Sequence, residues 1–175
     1  MGVSELLLMR HEWALVAAVL LLLIFEIALP ENGKKKINFI AAILVATATI
    51  IGFLPAEQGT LFGGMYITDP LRQLMKNILN IGVVLIFLQS VHWLSQDLYK
   101  DRSSEFYMLI LASLIGVNYM ISSGHFLMFY LGLELTTIPI AALASYEQFK
   151  SKSAEAGIKL ILSSAFSSAI LLFGL

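Results

Sequence analysis

HFLMFYLGLELTTIPIAALA, running from His125 to Ala144, is apolar along its length and contains one charged side chain, Glu134. Its length matches the ~20 residues that carry a helix across a hydrocarbon layer. A carboxylate at the centre of such a helix costs about 3 kcal/mol on insertion scales, so its presence calls for a use. It can hold a proton or pair with a buried cation. The structural alternative is a glutamate hydrogen-bonded to helix backbone or to Thr136 and Thr137, but a glutamine would do that without the charging cost. The stretch therefore points to a membrane protein that moves protons or cations.

The rest of the chain agrees with a membrane setting. Of its 175 residues 58% are hydrophobic and 13% charged, against ~25% charged in soluble domains. A net charge of -1 gives no reason to expect nucleic acid. There is no cysteine, so this chain forms no disulfide, thiolate metal site or cysteine-ligated iron–sulfur cluster. The first apolar block, Trp13–Leu29, follows Glu5, Arg10 and Glu12 rather than a basic flank. It ends at Pro30 without a small-x-small cleavage pattern, so it reads as a retained helix and not a signal peptide.

Apolar runs between polar breaks predict six spans: Trp13–Leu29, Ile37–Leu54, Leu71–Val91, Phe106–Ile121, His125–Ala144 and Ala154–Leu175. The first two stop at Pro30 and Pro55, and the third starts behind Asp69 as cap and Pro70 as first helical residue. Lys34, Lys35 and Lys36 follow the first span, Lys100 and Arg102 the third, and Lys150 and Lys152 the fifth. The other two connections lack Lys and Arg, so the three basic loops are expected in the cytoplasm and the N-terminus outside. Arg10 is the one basic residue near an outer end; Arg72 and Lys76, at the start of the third span, run against the alternation and can snorkel toward water or face protein. Ile161–Leu175 is uninterrupted apolar sequence with no cap or charged anchor, so more protein is expected beyond Leu175.

Beside Glu134, the candidate functional residues are Lys159, His125, Pro139, Ser163 and Ser164. Lys159 lies about one turn inside the sixth span. Ser163, Ser164, Ser167 and Ser168 follow it at helical spacing and could line a wet path, or only pack helices closely. The alternative reading of Lys159 is a boundary lysine that snorkels to the headgroups. Pro139 removes a backbone donor and predicts a kink just past Glu134, which would admit water or serve packing alone. His125 could relay protons between Glu134 and water, though a histidine at a helix end is commonly just an end residue. His11 and His92 also sit near helix ends and have no second ligand at metal spacing. Glu26, Asn118, Thr47 and Thr49 read as structural, and Glu155 suits the first turn of the sixth helix. No nucleotide-binding, Walker or haem motif is present, and Gly63-Gly64 reads as a turn.

Tyr130-Leu131-Gly132-Leu133-Glu134-Leu135, followed by Ser153-Ala154-Glu155-Ala156-Gly157-Ile158-Lys159, resembles subunit N of bacterial NADH-quinone oxidoreductase, an antiporter-like membrane subunit of respiratory complex I. Phe62-Gly63-Gly64-Met65-Tyr66-Ile67-Thr68-Asp69 and Ser104-Glu105-Phe106-Tyr107 extend the resemblance over essentially the whole chain. It implies an all-α polytopic bundle, the beginning of a fourteen-helix subunit, with three opening helices in residues 1–105 and the truncated start of the first repeat in 106–175. It implies Glu134 as the carboxylate of the first half-channel and Lys159 as a further lysine, with the carboxylate's seventh-helix lysine partner lying past the end of this chain. By the same resemblance the chain holds no cofactor. NADH, FMN, iron–sulfur clusters and quinone would belong to partner subunits, and its own neighbours would be other membrane subunits and lipids of the bacterial inner membrane. A multi-subunit cation/proton antiporter shares the Glu and Lys and is the second reading. A purely structural or assembly membrane protein is the third.

Overall fold

A computed structural model describes residues 7–28, 35–54, 58–96, 99, 102–147 and 149–174, with only the backbone described at 35 and 36. Pro30, Lys34, Pro55, Lys100 and Leu175, and the side chains of Lys35 and Lys36, lie outside the described residues. Among the described residues six α-helices follow one another: α1 Arg10–Ala28, α2 Lys35–Phe53, α3 Pro70–Leu94, α4 Ser103–Ile121, α5 Phe126–Ala144 and α6 Ser151–Phe173. Five of them are long and apolar enough to cross a membrane, and α2 contributes a shorter apolar stretch, Ile37–Phe53. The all-helical expectation needs one addition. Between α2 and α3 the chain forms a small hairpin of β1 Gly59–Leu61 and β2 Tyr66–Thr68, antiparallel with Leu61 opposite Tyr66.

The hairpin is too short for an alternating pattern to announce it. Its tip takes Phe62, Gly63 and Gly64 through positive φ of 53°, 65° and 93°, where glycine carries no penalty. The backbone then docks on the α4–α5 turn. Ile67 donates to the Ser122 carbonyl at 2.8 Å and Gly124 to the Met65 carbonyl at 2.7 Å. A Cβ on Gly124 would run into the Gly64 carbonyl and the Ile67 side chain, so only glycine allows this approach. Asp69 caps α3 as its sequence predicts, accepting from the Arg72 N–H at 2.8 Å, with Pro70 in the first turn. The element boundaries move by a few residues: α3 continues to Leu94, and α4 and α6 begin at Ser103 and Ser151.

α1, α2, α3 and α4 form the packed half of the molecule. Leu15, Ala18 and Leu22 of α1 recur three and four residues apart, as do Ile37, Ala41, Val45 and Ala48 of α2. Each set forms one stripe, and the stripes meet Phe87 of α3 and Tyr107, Leu111 and Leu114 of α4. Lipid is as apolar as these side chains, so close van der Waals fit, not exclusion from water, holds them together. At the end carrying the basic loops, Trp93 packs against Tyr99, Phe106 and Tyr146. α5 lies on α4 through Gly116 and Gly132. A Cβ on Gly132 would come within 2.7 Å of the Met120 nitrogen and 2.8 Å of the Gly116 carbonyl. α6 packs on α5 and buries only Gly157 and Ser168.

Candidate functional site

Glu134 stands half-buried on α5, facing α6. With Thr137, Ile138 and Ala141 of its own helix and Ile161, Ser164 and Ala165 of α6 it lines a groove of about 220 Å³. Its Oε1 is buried without a hydrogen-bond partner among the described residues. Tyr130, one turn earlier, interacts with the carboxylate. The Thr137 hydroxyl donates to the Glu134 backbone carbonyl at 3.3 Å, and Thr136 to the Gly132 carbonyl at 2.8 Å. Neither threonine hydroxyl therefore takes the role of holding the carboxylate.

The other residues singled out by sequence fall in different places. Ser164 shares the groove with Glu134. Ser163 is exposed one position away, and its carbonyl accepts from Ser167 Oγ at 2.9 Å. Ser164 and Ser168 turn toward the protein while Ser163 and Ser167 turn outward, so the four hydroxyls do not share one face. Lys159 lies on the exposed side of α6, 2.5 Å from Glu155 one turn earlier, and does not line the groove. His125 caps α5, its Nδ1 accepting from the Leu127 N–H at 3.2 Å. Pro139 is buried, and α5 runs through it as a continuous helix. Thr47 and Thr49 return their hydroxyls to the Leu44 and Val45 carbonyls, in keeping with a structural role.

A second polar region lies at the hairpin end, and its residues were not among the candidates drawn from the sequence. Lys76 on α3 places its Nζ 2.6 Å from Glu12 Oε1 on α1, with both side chains almost fully buried. Tyr66 of β2 bridges the pair: its phenol accepts from Lys76 at 3.0 Å and donates to Glu12 Oε2 at 3.0 Å, and its ring lies 5.0 Å from the ammonium. Burial, then the Glu12 charge, pushes the Tyr66 phenol far above its ordinary range, so it is a donor at any physiological pH. His11 hydrogen-bonds Asn77 at 3.1 Å, while Asn77 and Arg10 both donate to the Gly52 carbonyl of α2, at 3.2 and 3.1 Å. Three helices and the hairpin are thereby tied together by ionic and polar contacts. Two signals in the sequence bear on this: Glu12 at the head of an apolar run, and Lys76, Asn77 and Asn80 one turn apart within another. Among the described residues, no group of three or more His, Asp or Glu side chains comes together as metal ligands.

Residues 123–175 match the family described as NADH:quinone oxidoreductase/Mrp antiporter, TM. The chain is similar to NADH-quinone oxidoreductase subunit N of Phocaeicola vulgatus, 41% identical over 175 residues, covering 100% of this chain and 37% of that protein. The subunit N of Azobacteroides pseudotrichonymphae is 38% identical over 100% of this chain and 37% of its own length. That of Desulforamulus reducens is 33% identical over 95% and 36%. The chain thus spans little more than a third of the length of these relatives. In fold it resembles a chain of respiratory complex I from Thermus thermophilus, solved with bound aureothin. The TM-score is 0.73 at 24% identity, over 94% of this chain and 35% of that one. The chain belongs to the subunit N family, and with its long apolar helices it is a multi-pass membrane protein.

Proposed function

Because this chain matches the subunit N family of NADH-quinone oxidoreductases, we propose that it forms part of a proton-translocating membrane subunit. In this reading the basic loops face the cytoplasm of a bacterial cell, and residues 1–105 and 106–175 are the opening helices and the start of an antiporter-like repeat. Other membrane subunits cover the open faces of α5 and α6. NADH oxidation and quinone reduction take place in partner subunits, and this chain adds no redox centre. Glu134 carries the proton, and Lys159 and Ser164 support it from α6.

The observation that carries this reading is the Glu134 carboxylate, held between α5 and α6 with one oxygen unpartnered among the described residues. Across a groove of low dielectric a positive charge and a carboxylate attract each other far more strongly than they do in water. A lysine that changes its distance or charge can therefore load and unload this group without any covalent step. The exposed pairing of Lys159 with Glu155 keeps that ammonium two residues before Ile161, the first groove-lining residue of α6, where it can act on the groove's field and hold its own counter-ion. Glu134→Gln and Glu134→Ala in the full-length parent, reconstituted in proteoliposomes, test this. Both are expected to assemble and to lose proton pumping; unchanged pumping in both would overturn the role. Loss with Lys159→Ala but not with Glu134→Gln would reverse their ranking.

The matched family's description also covers Mrp antiporters, which favours cation/proton exchange as the second reading. Co-purification of iron–sulfur subunits with the parent selects the first. Sodium-driven proton movement without them selects the second.

A further inference from the structure

At the hairpin end Lys76 of α3 meets the Tyr66 phenol, and the carbonyl of Ser122, at the end of α4, accepts from the next hairpin residue, Ile67. The two helices are antiparallel, with Ser90 of α3 meeting Tyr107 of α4 further along. One helical turn inward from Lys76 on α3 is Asn80, and one turn inward from Ser122 on α4 is Asn118. The two asparagines therefore lie at about the same depth on neighbouring helices. Both are completely buried, and both amide atoms of each have no hydrogen-bond partner among the described residues.

Such a pair is unusual, because buried amides are nearly always hydrogen-bonded to protein or to ordered water. The ion pair above them is also incompletely served. An ammonium has three donors; Lys76 spends one on Glu12 Oε1 and one on Tyr66, and among the described residues no other group takes the third. On α3 a side chain leans toward the helix N-terminus, so Asn80 projects toward the turn that carries Lys76. A buried ion pair is stable only when its remaining hydrogen-bonding capacity is satisfied. The surrounding charged and titratable groups, His11, Arg10, Arg72 and Tyr119, leave these atoms unsatisfied: His11 is held by Asn77, and Arg10 reaches the Gly52 carbonyl.

We propose that α1, α3 and α4 enclose a second hydrated site, separate from the Glu134 groove, in which internal waters held by Asn80 and Asn118 reach the Lys76 ammonium and make the Glu12–Lys76 pair a proton-exchanging station. It rests on the reading of the chain as part of a proton-translocating protein. The ligand is water, chosen by an array of donors and acceptors with no fixed charge of its own beyond the pair. The waters solvate the charged form of the pair and offer its protons a hydrogen-bonded route along the α3–α4 seam. No covalent bond other than O–H and N–H is made or broken along that route.

The test uses the assembled full-length parent. A map of the wild-type assembly fine enough to resolve water is expected to show density within hydrogen-bonding distance of both amides and of Lys76. A dry seam, or the two amides bonded directly to each other, overturns the proposal. Asn80→Leu with Asn118→Leu, reconstituted in proteoliposomes, is expected to remove the water and lower pumping severalfold per quinone reduced, with electron transfer retained. Asn80→Ser, which keeps a polar group, is expected to retain both water and pumping. Unchanged pumping in the double leucine variant while Glu134→Gln abolishes it overturns the station and leaves the Glu134 reading standing; the opposite pattern does the reverse. Should the leucine variant fail to assemble, the wild-type map and Asn80→Ser decide.

Discussion

Glu12 and Lys76 are the residues whose replacement should be felt most in stability. Each is buried against the other, so removing one leaves an uncompensated charge away from water. Lys76→Met or Glu12→Gln alone is expected to destabilise the parent by about 3–5 kcal/mol, read as a lower thermal midpoint in detergent. Replacing both at once, Glu12→Leu with Lys76→Met, should fall closer to wild type, because a well-packed apolar pair avoids the desolvation of two ions. A double variant as unstable as the single ones would show that Tyr66 or the polar neighbours, not the unpaired charge, set the loss. The exposed Lys159–Glu155 pair behaves differently: water screens it, and Glu155→Gln should change stability by less than about 0.5 kcal/mol.

Among the elements, the α4–α5 crossing depends on glycine for a steric reason and α3 does not. Gly132 faces the backbone of Met120 and Gly116, atoms that cannot rotate away. Gly132→Ala should therefore push the helices apart and destabilise by about 1–3 kcal/mol. Gly82, inside α3, has no atom within 4 Å of where a Cβ would stand. Gly82→Ala should stabilise α3 by roughly 0.5–1 kcal/mol through helix propensity. Opposite shifts of the thermal midpoint would confirm the contrast, and a loss at both positions would refute it. The hairpin has the same dependence on close approach, since Gly124 lets β2 rest on the α4–α5 turn and so carries Tyr66 to the ion pair.

At the scale of the whole molecule, the end with the basic loops is held by an aromatic and ionic cluster. Tyr99 donates to Glu147 at 2.6 Å, and Lys150 lies 2.8 Å from both Glu147 oxygens. The Lys150 hydrogen bond, then that of Tyr99, holds the Glu147 carboxyl below its ordinary range. Its contribution is therefore complete above the usual ~4.3 and is lost as pH falls through the lower folded value. The Glu147 hydrogen bond pushes Tyr99 and Lys150 upward, so their contributions hold below their ordinary values and are lost as pH rises through the raised ones. Burial takes the Tyr146 phenol up to about 12. The Trp93 ring lies 4.5 Å from that of Tyr99, tilted against it, and reports on the cluster. With Trp13→Phe in place, its emission should stay constant from about pH 5 to 9 and shift only in stronger acid or stronger base. A transition near neutral pH would contradict the assignment. The same end decides orientation: in this cysteine-free chain, Lys152→Cys should label from the cytoplasmic side and Thr60→Cys from the other. The reverse pattern would invert the topology.

The spans, the cap at Asp69 and the lone carboxylate of α5 follow from the chain by itself, because each rests on neighbours in sequence: length of an apolar run, a cap next to a proline, a charge among leucines. Helical spacing also suggested a common face for Lys159 and its serines, but helix packing split it, sending Ser164 to the groove and leaving Lys159 with Glu155. Glu12 and Lys76 are 64 residues apart, and their meeting depends on α1 and α3 crossing with the hairpin between them. Asn80 and Asn118 look like ordinary polar residues within helices until α3 and α4 bring them to the same depth. One-dimensional pattern specifies which face of a helix is polar but not which helix it will face. That choice belongs to side-chain fit between helices, and it made the buried pair.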